Sequence, residues 1–251
     1  MLLYIFVILR LNEMVSIKNT ENTFRDQPAV RRRMIQVLLT FIIQTALLFV
    51  SAGTFVWPMA WALQVEYIVI LLLNRYYFLR DKPELMAERG QLKQGAKKWD
   101  KIITAVIMLF NLSMLVIIGL DKRFTWSPVF PLTLQIIGLF LIVDGQLLFS
   151  WAMASNPFFS TLVRIQKDRG QIVAQHGPYH FVRHPGYVGY IVFTLATPLA
   201  LSSSWGFIPA GIVSALMVLQ TYLEDETLLI ELEGYDKFSN QKKYRLIPGI
   251  W

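Results

Sequence analysis

MIQVLLTFIIQTALLFVSAGTF, residues 34–55, carries no charged side chain and is followed after Val56 by Trp57-Pro58. A helix needs about 20 apolar residues to cross the hydrocarbon core of a bilayer. The stretch has that length, and it ends on an interfacial aromatic and a helix-disfavouring proline. Runs of the same kind recur: Met59 to Leu79, Ile102 to Leu120, Val129 to Met153, a shorter one from Tyr187 to Leu201, and Phe207 to Leu223. The expected fold is therefore all-α, a polytopic membrane bundle of about six transmembrane helices. The composition agrees. Of 251 residues 55% are hydrophobic and 16% charged, against about 25% charged in soluble domains, and the mean hydropathy is +0.46.

Lysine and arginine orient the map, because they collect in cytoplasmic loops. If the spans are as drawn, 21 of the 24 fall on one side: before the first span, between the second and third, between the fourth and fifth, and in the tail. Lys122 and Arg123 fall opposite, and Arg75 sits near a span end where it can snorkel. Both termini are expected on the cytoplasmic side. The net charge of +7 then reads as a topology signal and calls for no nucleic acid partner. Residues 1–30 read as a weakly ordered or interfacial leader with no cleavable signal peptide, because Arg10 follows the apolar MLLYIFVIL and no small-residue cleavage site appears. Residues 31–153 hold the N-terminal membrane helices. Residues 154–251 hold the last two and the candidate chemistry. The absence of cysteine excludes disulfides, thiolate nucleophiles and cysteine metal sites.

Polar residues gather in two blocks, 155–187 and 220–251. All three histidines, His176, His180 and His184, fall within QHGPYHFVRHPGYVGY. Their i, i+4, i+8 spacing suits one helix face and a metal site. Gly177-Pro178 and Pro185-Gly186 interrupt such a helix, however, and no carboxylate or thiol lies close in sequence, so no metal is expected. Packing at a headgroup interface is the alternative reading of these rings. The second block opens with Glu224-Asp225-Glu226 at the end of the last span. Glu224 and Glu231 share a helix face, while Asp225 points about 100° away. Acids at a helix C-terminus oppose the helix dipole, so a compensating cation is expected, with a solvated face as the bland alternative. Together the blocks suit a small ligand bearing positive charge, such as S-adenosylmethionine. The G-x-G of a Rossmann methyltransferase is missing.

These residues also carry a resemblance. Gln166 to Gly189, QKDRGQIVAQHGPYHFVRHPGYVG, is similar to the glutamine, G-x-Y and R-H-P-x-Y-x-G of the isoprenylcysteine carboxyl methyltransferase family of membrane enzymes, in its prokaryotic-type members. Glu224-Asp225-x-x-Leu228, Gly234-Tyr235, Phe238 and Arg245-Leu246-Ile247-Pro248-Gly249 resemble the family's E-E-x-x-L and closing R-x-x-P-G. The resemblance covers about the last third of the chain. It implies a cytoplasmic pocket for S-adenosylmethionine capped by the C-terminal segment. The cofactor contacts it implies are Gln166, Gln171, Ile172, Val173, Ala174, Tyr179, His184, Pro185, Gly186, Tyr187 and Glu224. Tyr179 and Tyr187 would pack against adenine or the sulfonium, Glu224 would bind ribose hydroxyls or the ammonium, and His184 the donor's carboxylate.

Two positions depart from the family pattern. Asp225 replaces the second glutamate, and Gln220 stands where the prenylcysteine enzymes place an arginine for the substrate. The implied reaction is methyl transfer to a lipophilic acceptor arriving from the bilayer. O-methylation of an isoprenylcysteine-type carboxylate is favoured, with Arg183 orienting an anionic acceptor and Gln220 at the substrate. An amine acceptor, as in the related phospholipid methyltransferases, would need a base, for which His180 or Asp225 through water is available. The rival of another class is a non-catalytic transporter or binding protein. Glu66 and Asp144 within spans are costly in lipid and should face protein or water, most simply for interhelical hydrogen bonds.

Overall fold

The structure is a computed structural model, and it describes residues 28–79, 82–90 and 95–251. The expected leader thus lies almost wholly outside the described residues. Among the described residues every regular element is helical: α1 (Pro28–Ala52), α2 (Pro58–Leu73), α3 (Pro83–Gly90), α4 (Lys98–Phe124), α5 (Leu132–Ser155), α6 (Pro185–Ala200), α7 (Phe207–Glu231) and α8 (Tyr235–Gln241). A π-helical turn, Asn74–Phe78, continues α2, and 3-10 turns at Lys167–Arg169 and Gly177–His180 punctuate the long α5–α6 connection. Prolines sit in the first turn of α2 and α6, where the missing N–H costs nothing and the fixed φ favours entry into a helix.

Four helices, α1, α4, α5 and α7, are long and apolar enough to cross a membrane, and the chain is an integral membrane protein. The other two expected spans are shorter. Helices α2 and α6 have 16 residues each, about 24 Å of α-helix against a hydrocarbon core of about 30 Å. The π turn extends α2, whereas α6 ends at Ala200 and is the more enclosed of the two. The segment from Pro83 to Gly90, between the second and third expected spans, is the helix α3. Pro83 and Glu84 open it and Arg89 closes it, the charge order that a helix dipole favours. Leu85 is buried beneath it, in a cluster with Leu79 and Met153.

Helices α5 and α6 make the closest contact. An added Cβ on Gly145 would stand 2.7 Å from the Gly189 carbonyl oxygen, and one on Gly138 would stand 2.5 Å from the Ala200 nitrogen. Where lipid surrounds a bundle, association depends on such close backbone approach, because lipid tails are as apolar as the side chains. This contact seats the start of α6, and with it the histidine block, against the end of α5. At the other end of α6, buried Asp121 of α4 accepts from the Ser127 amide at 2.7 Å and the Ser127 hydroxyl at 2.6 Å, and also from the Ser203 hydroxyl. These bonds join the α4–α5 and α6–α7 turns. Of the two acids expected inside spans, Glu66 is enclosed, with both carboxylate oxygens unpartnered among the described residues. Asp144 lies on an exposed face of α5, since α6 packs against the Gly138, Ile142 and Gly145 side of that helix.

The α5–α6 contact makes a direct prediction. Gly189→Val should lower stability by about 3 kcal/mol or more, because backbone and not a flexible side chain blocks the new methyl groups. Gly211→Ala, with no atom near the added Cβ, should leave the melting temperature in detergent unchanged or raise it.

Candidate active site

The α5–α6 connection is held as a shaped loop by its own side chains. Gln166 is fully buried. Its amide nitrogen donates to the Phe158 carbonyl at 2.7 Å, its side-chain oxygen accepts from Arg169 at 2.7 Å, and its backbone N–H donates to the Gln171 side chain at 2.6 Å. Gly177, at φ +62°, permits a turn in which a Cβ would collide with Ser155. Asp100, at the start of α4 and fully buried, accepts from the Val163 amide at 2.7 Å and from Gln220 Nε2 at 2.6 Å. That pair fastens the loop to α4 and α7 together.

The second organising group is Asp225, fully buried on α7. Its Oδ2 accepts from Arg183 Nη2 and Arg245 Nε, both at 2.8 Å, and its Oδ1 accepts from the Tyr235 hydroxyl at 2.7 Å and lies 3.1 Å from His184 Nε2. Burial and the Asp225 charge push the Tyr235 phenol far above its ordinary pKa, so it remains a donor. Two backbone bonds run alongside, from the Arg183 and His184 amides to the Tyr244 and Arg245 carbonyls, each at 3.0 Å. The two sequence blocks and the C-terminal segment thus meet at one carboxylate.

Beside this junction lies a cavity of about 330 Å3, within the roughly 300–1,000 Å3 range of small-molecule sites. Of the residues expected to touch a cofactor, Gln171, Ile172, Val173, Ala174, Tyr179, His184, Gly186, Tyr187 and Glu224 line it. Gln166 and Pro185 do not line it: Gln166 holds the loop's backbone, and Pro185 is buried as the first residue of α6. The Tyr187 hydroxyl donates to Glu224, and the Tyr187 and His184 rings stack at 5.7 Å. The Tyr179 hydroxyl lies 3.4 Å from the Asn156 amide, and burial raises its pKa, which keeps it a neutral aromatic wall.

Arg183 and Gln220 also line the cavity. Asp225 does not, and its oxygens are taken by four side chains, so it anchors the site's walls and is not placed as a base. His180 is exposed, near Lys242 at 3.5 Å, and likewise lies off the cavity. The three histidines do not share one helix, since the 3-10 turn ends at His180 and α6 begins at Pro185. Sequence reasoning missed Asp100, Arg89, Arg164 and Tyr190. The signal for Asp100 was an acid in the first turn of an otherwise apolar helix, within the basic stretch Lys97-Lys98-Trp99-Asp100-Lys101.

Removing one partner from a buried charge cluster leaves the others uncompensated, at a cost of about 3–5 kcal/mol. Asp225→Ala should therefore destabilise the protein by that order. It should also release residues 242–251 to limited proteolysis, whereas Glu226→Ala, at a half-exposed position 3.4 Å from Arg245, should do neither.

The description "Isoprenylcysteine carboxyl methyltransferase (ICMT) family" belongs to the sequence model that matches residues 136–231, from within α5 to the end of α7. The chain is 30% identical over 117 residues to a protein-S-isoprenylcysteine O-methyltransferase of Dictyostelium discoideum, covering 45% of this chain and 49% of that protein. The Xenopus laevis protein of that name is 26% identical over 123 residues, 49% of this chain and 40% of its own. The one from Saccharomyces cerevisiae is 28% identical over 119 residues, 47% of each. The chain spans about half the length of these curated relatives or less. The matched stretch holds the Gly145–Gly189 contact, the cavity-lining loop, the R-H-P block and Glu224-Asp225, so the similarity to the isoprenylcysteine carboxyl methyltransferase family falls on the part of the chain that builds the site.

Proposed function

We propose that the protein is a membrane methyltransferase that transfers the methyl group of S-adenosylmethionine to the carboxylate of a lipophilic, isoprenylcysteine-type acceptor. The observation that carries this reading is the cavity itself. It sets Glu224, three tyrosines at positions 179, 187 and 190, and residues 171–174 around one space, within the stretch that matches the family. The donor's groups fit those residues: a carboxylate for its ammonium or ribose hydroxyls, and ring faces for the sulfonium, whose attraction to an aromatic face is about 0.5–2 kcal/mol. His184 lines the same wall through its stacking on Tyr187.

S-adenosylmethionine supplies an activated methyl group on sulfur, a good leaving group. The protein's share is then alignment of nucleophile and methyl, and an electrostatic environment matched to the disappearance of charge. An acceptor carboxylate is already ionised at neutral pH and needs no base. This suits a site in which Asp225 is fully engaged and His180 lies elsewhere. Arg183 keeps its Nε free of partners while Nη2 is held by Asp225, an arrangement that fixes a guanidinium beside the cavity to orient an anion. The lysine and arginine distribution supports a cytoplasmic side for the cavity and both termini.

Calorimetry with purified protein tests the donor site. S-adenosylmethionine should bind with micromolar affinity, and Glu224→Ala should weaken it about tenfold or more, roughly 1.4 kcal/mol, with the melting temperature retained. Labelled donor and N-acetyl-S-farnesylcysteine should yield a base-labile methyl ester. A base-stable product would instead point to an amine acceptor, and no detectable donor binding would sink the methyltransferase reading.

A further inference from the structure

Three arginines line the cavity, Arg89, Arg164 and Arg183. Two are matched by acids: Arg164 pairs with Glu88 at 2.9 Å and Asp168 at 3.0 Å, and Arg183 pairs with Asp225. Arg89 is different. It is only 9% exposed, and its Nη1 has no hydrogen-bond partner. No carboxylate among the described residues pairs with it. Its guanidinium carbon stands 5.3 Å from the centre of the Phe159 ring, a contact that positions the fork without neutralising it. Burial, together with the like charge of Arg33, pulls its pKa down to about 9.

An unpaired buried charge is among the most expensive features a fold can carry. A second unsatisfied group lies next to Phe159: the Ser160 hydroxyl oxygen, buried and without a partner, in a residue that also lines the cavity. A guanidinium and a hydroxyl left open beside one ring form a donor set for an oxyanion, and arginine's planar fork matches a carboxylate in particular. Gln220, where the sequence placed acceptor recognition, does not fill that role alone, because its amide is committed to buried Asp100.

We propose that Arg89, with Ser160, forms an anion subsite that receives the carboxylate of the methyl acceptor. This rests on the reading given under Proposed function. In the reaction a carboxylate oxygen forms a bond to the methyl carbon as the carbon–sulfur bond breaks, and the electron pair of that bond stays on sulfur. The acceptor's negative charge and the sulfonium's positive charge vanish together, and no proton moves. The methyl ester product therefore loses its ion pair with Arg89, so the subsite holds the acid and lets the ester go.

The test compares binding of N-acetyl-S-farnesylcysteine with that of its methyl ester, by calorimetry on the full chain in detergent. Native protein should favour the acid by about tenfold or more, the range of a charge-assisted pair. Arg89→Gln should remove that preference by weakening the acid alone, and Arg89→Lys, which keeps charge but not the fork, should restore part of it. S-adenosylmethionine affinity should stay within about twofold in both variants. A parallel loss of donor affinity would assign Arg89 to the donor's own carboxylate and overturn the proposal, as would an unchanged preference for the acid. If Arg89→Gln does not fold, Ser160→Ala decides: the acid should weaken severalfold with the ester unchanged, and no change refutes the subsite. Failure of native protein to bind S-adenosylmethionine would overturn the functional reading itself. Donor binding with an acid preference that survives Arg89→Gln would overturn only the subsite.

Discussion

One buried carboxylate, Asp225, joins three parts of the chain that are far apart in sequence. Arg183 and His184 reach it from the start of α6, Tyr235 from α8, and Arg245 from the C-terminal segment. Its location on α7, inside protein and near the end of an apolar helix, makes each of those bonds matter, because a charge there has no water to fall back on. The walls of the cavity follow from it. His184 cannot stack on Tyr187, nor Tyr187 meet Glu224, unless the R-H-P turn is held against α7. The Arg245 guanidinium also packs over the rings of Tyr222 and Trp251, at 5.7 and 5.1 Å, which draws the end of the chain down over the same region.

The membrane helices supply the frame for that junction. Glycines at 138, 145 and 189 let α5 and α6 touch backbone to backbone, so the loop between them must fold back over their ends. Asp100 then takes up that loop through the Val163 amide and holds Gln220 with its other oxygen. Two buried acids on different helices thus do related work. Asp100 fixes the long connection to α4 and α7, and Asp225 fixes the R-H-P turn and the tail to α7.

Most of the frame was legible in the sequence, since long apolar runs and lopsided lysine and arginine are local signals that need no tertiary information. The lining of the cavity was largely legible too, because Tyr179, His184, Tyr187 and Glu224 stand in two compact blocks. The roles within those blocks were less so. Gln166 and Asp225 resemble ligand-binding residues in sequence and prove to be consumed by internal bonds, which only the positions of Arg169, Phe158, Arg245 and Tyr235 reveal. Asp100 and Gln220 are 120 residues apart, and no periodicity links them. Arg89 sits in a segment that read as one more basic loop. Its distinction is the absence of a paired acid among the described residues, a property of three-dimensional neighbours and not of spacing.

The central claim is that a single cavity, walled by the α5–α6 connection and α7, receives the methyl donor. Hydrogen–deuterium exchange of the full chain in detergent, with and without S-adenosylmethionine, measures this most directly. The donor should slow exchange in peptides covering residues 171–187 and 220–238, and leave α1 and α2 unchanged. Slowed exchange confined to residues outside those segments, or none at saturating donor, would show that the cavity is not the donor's site.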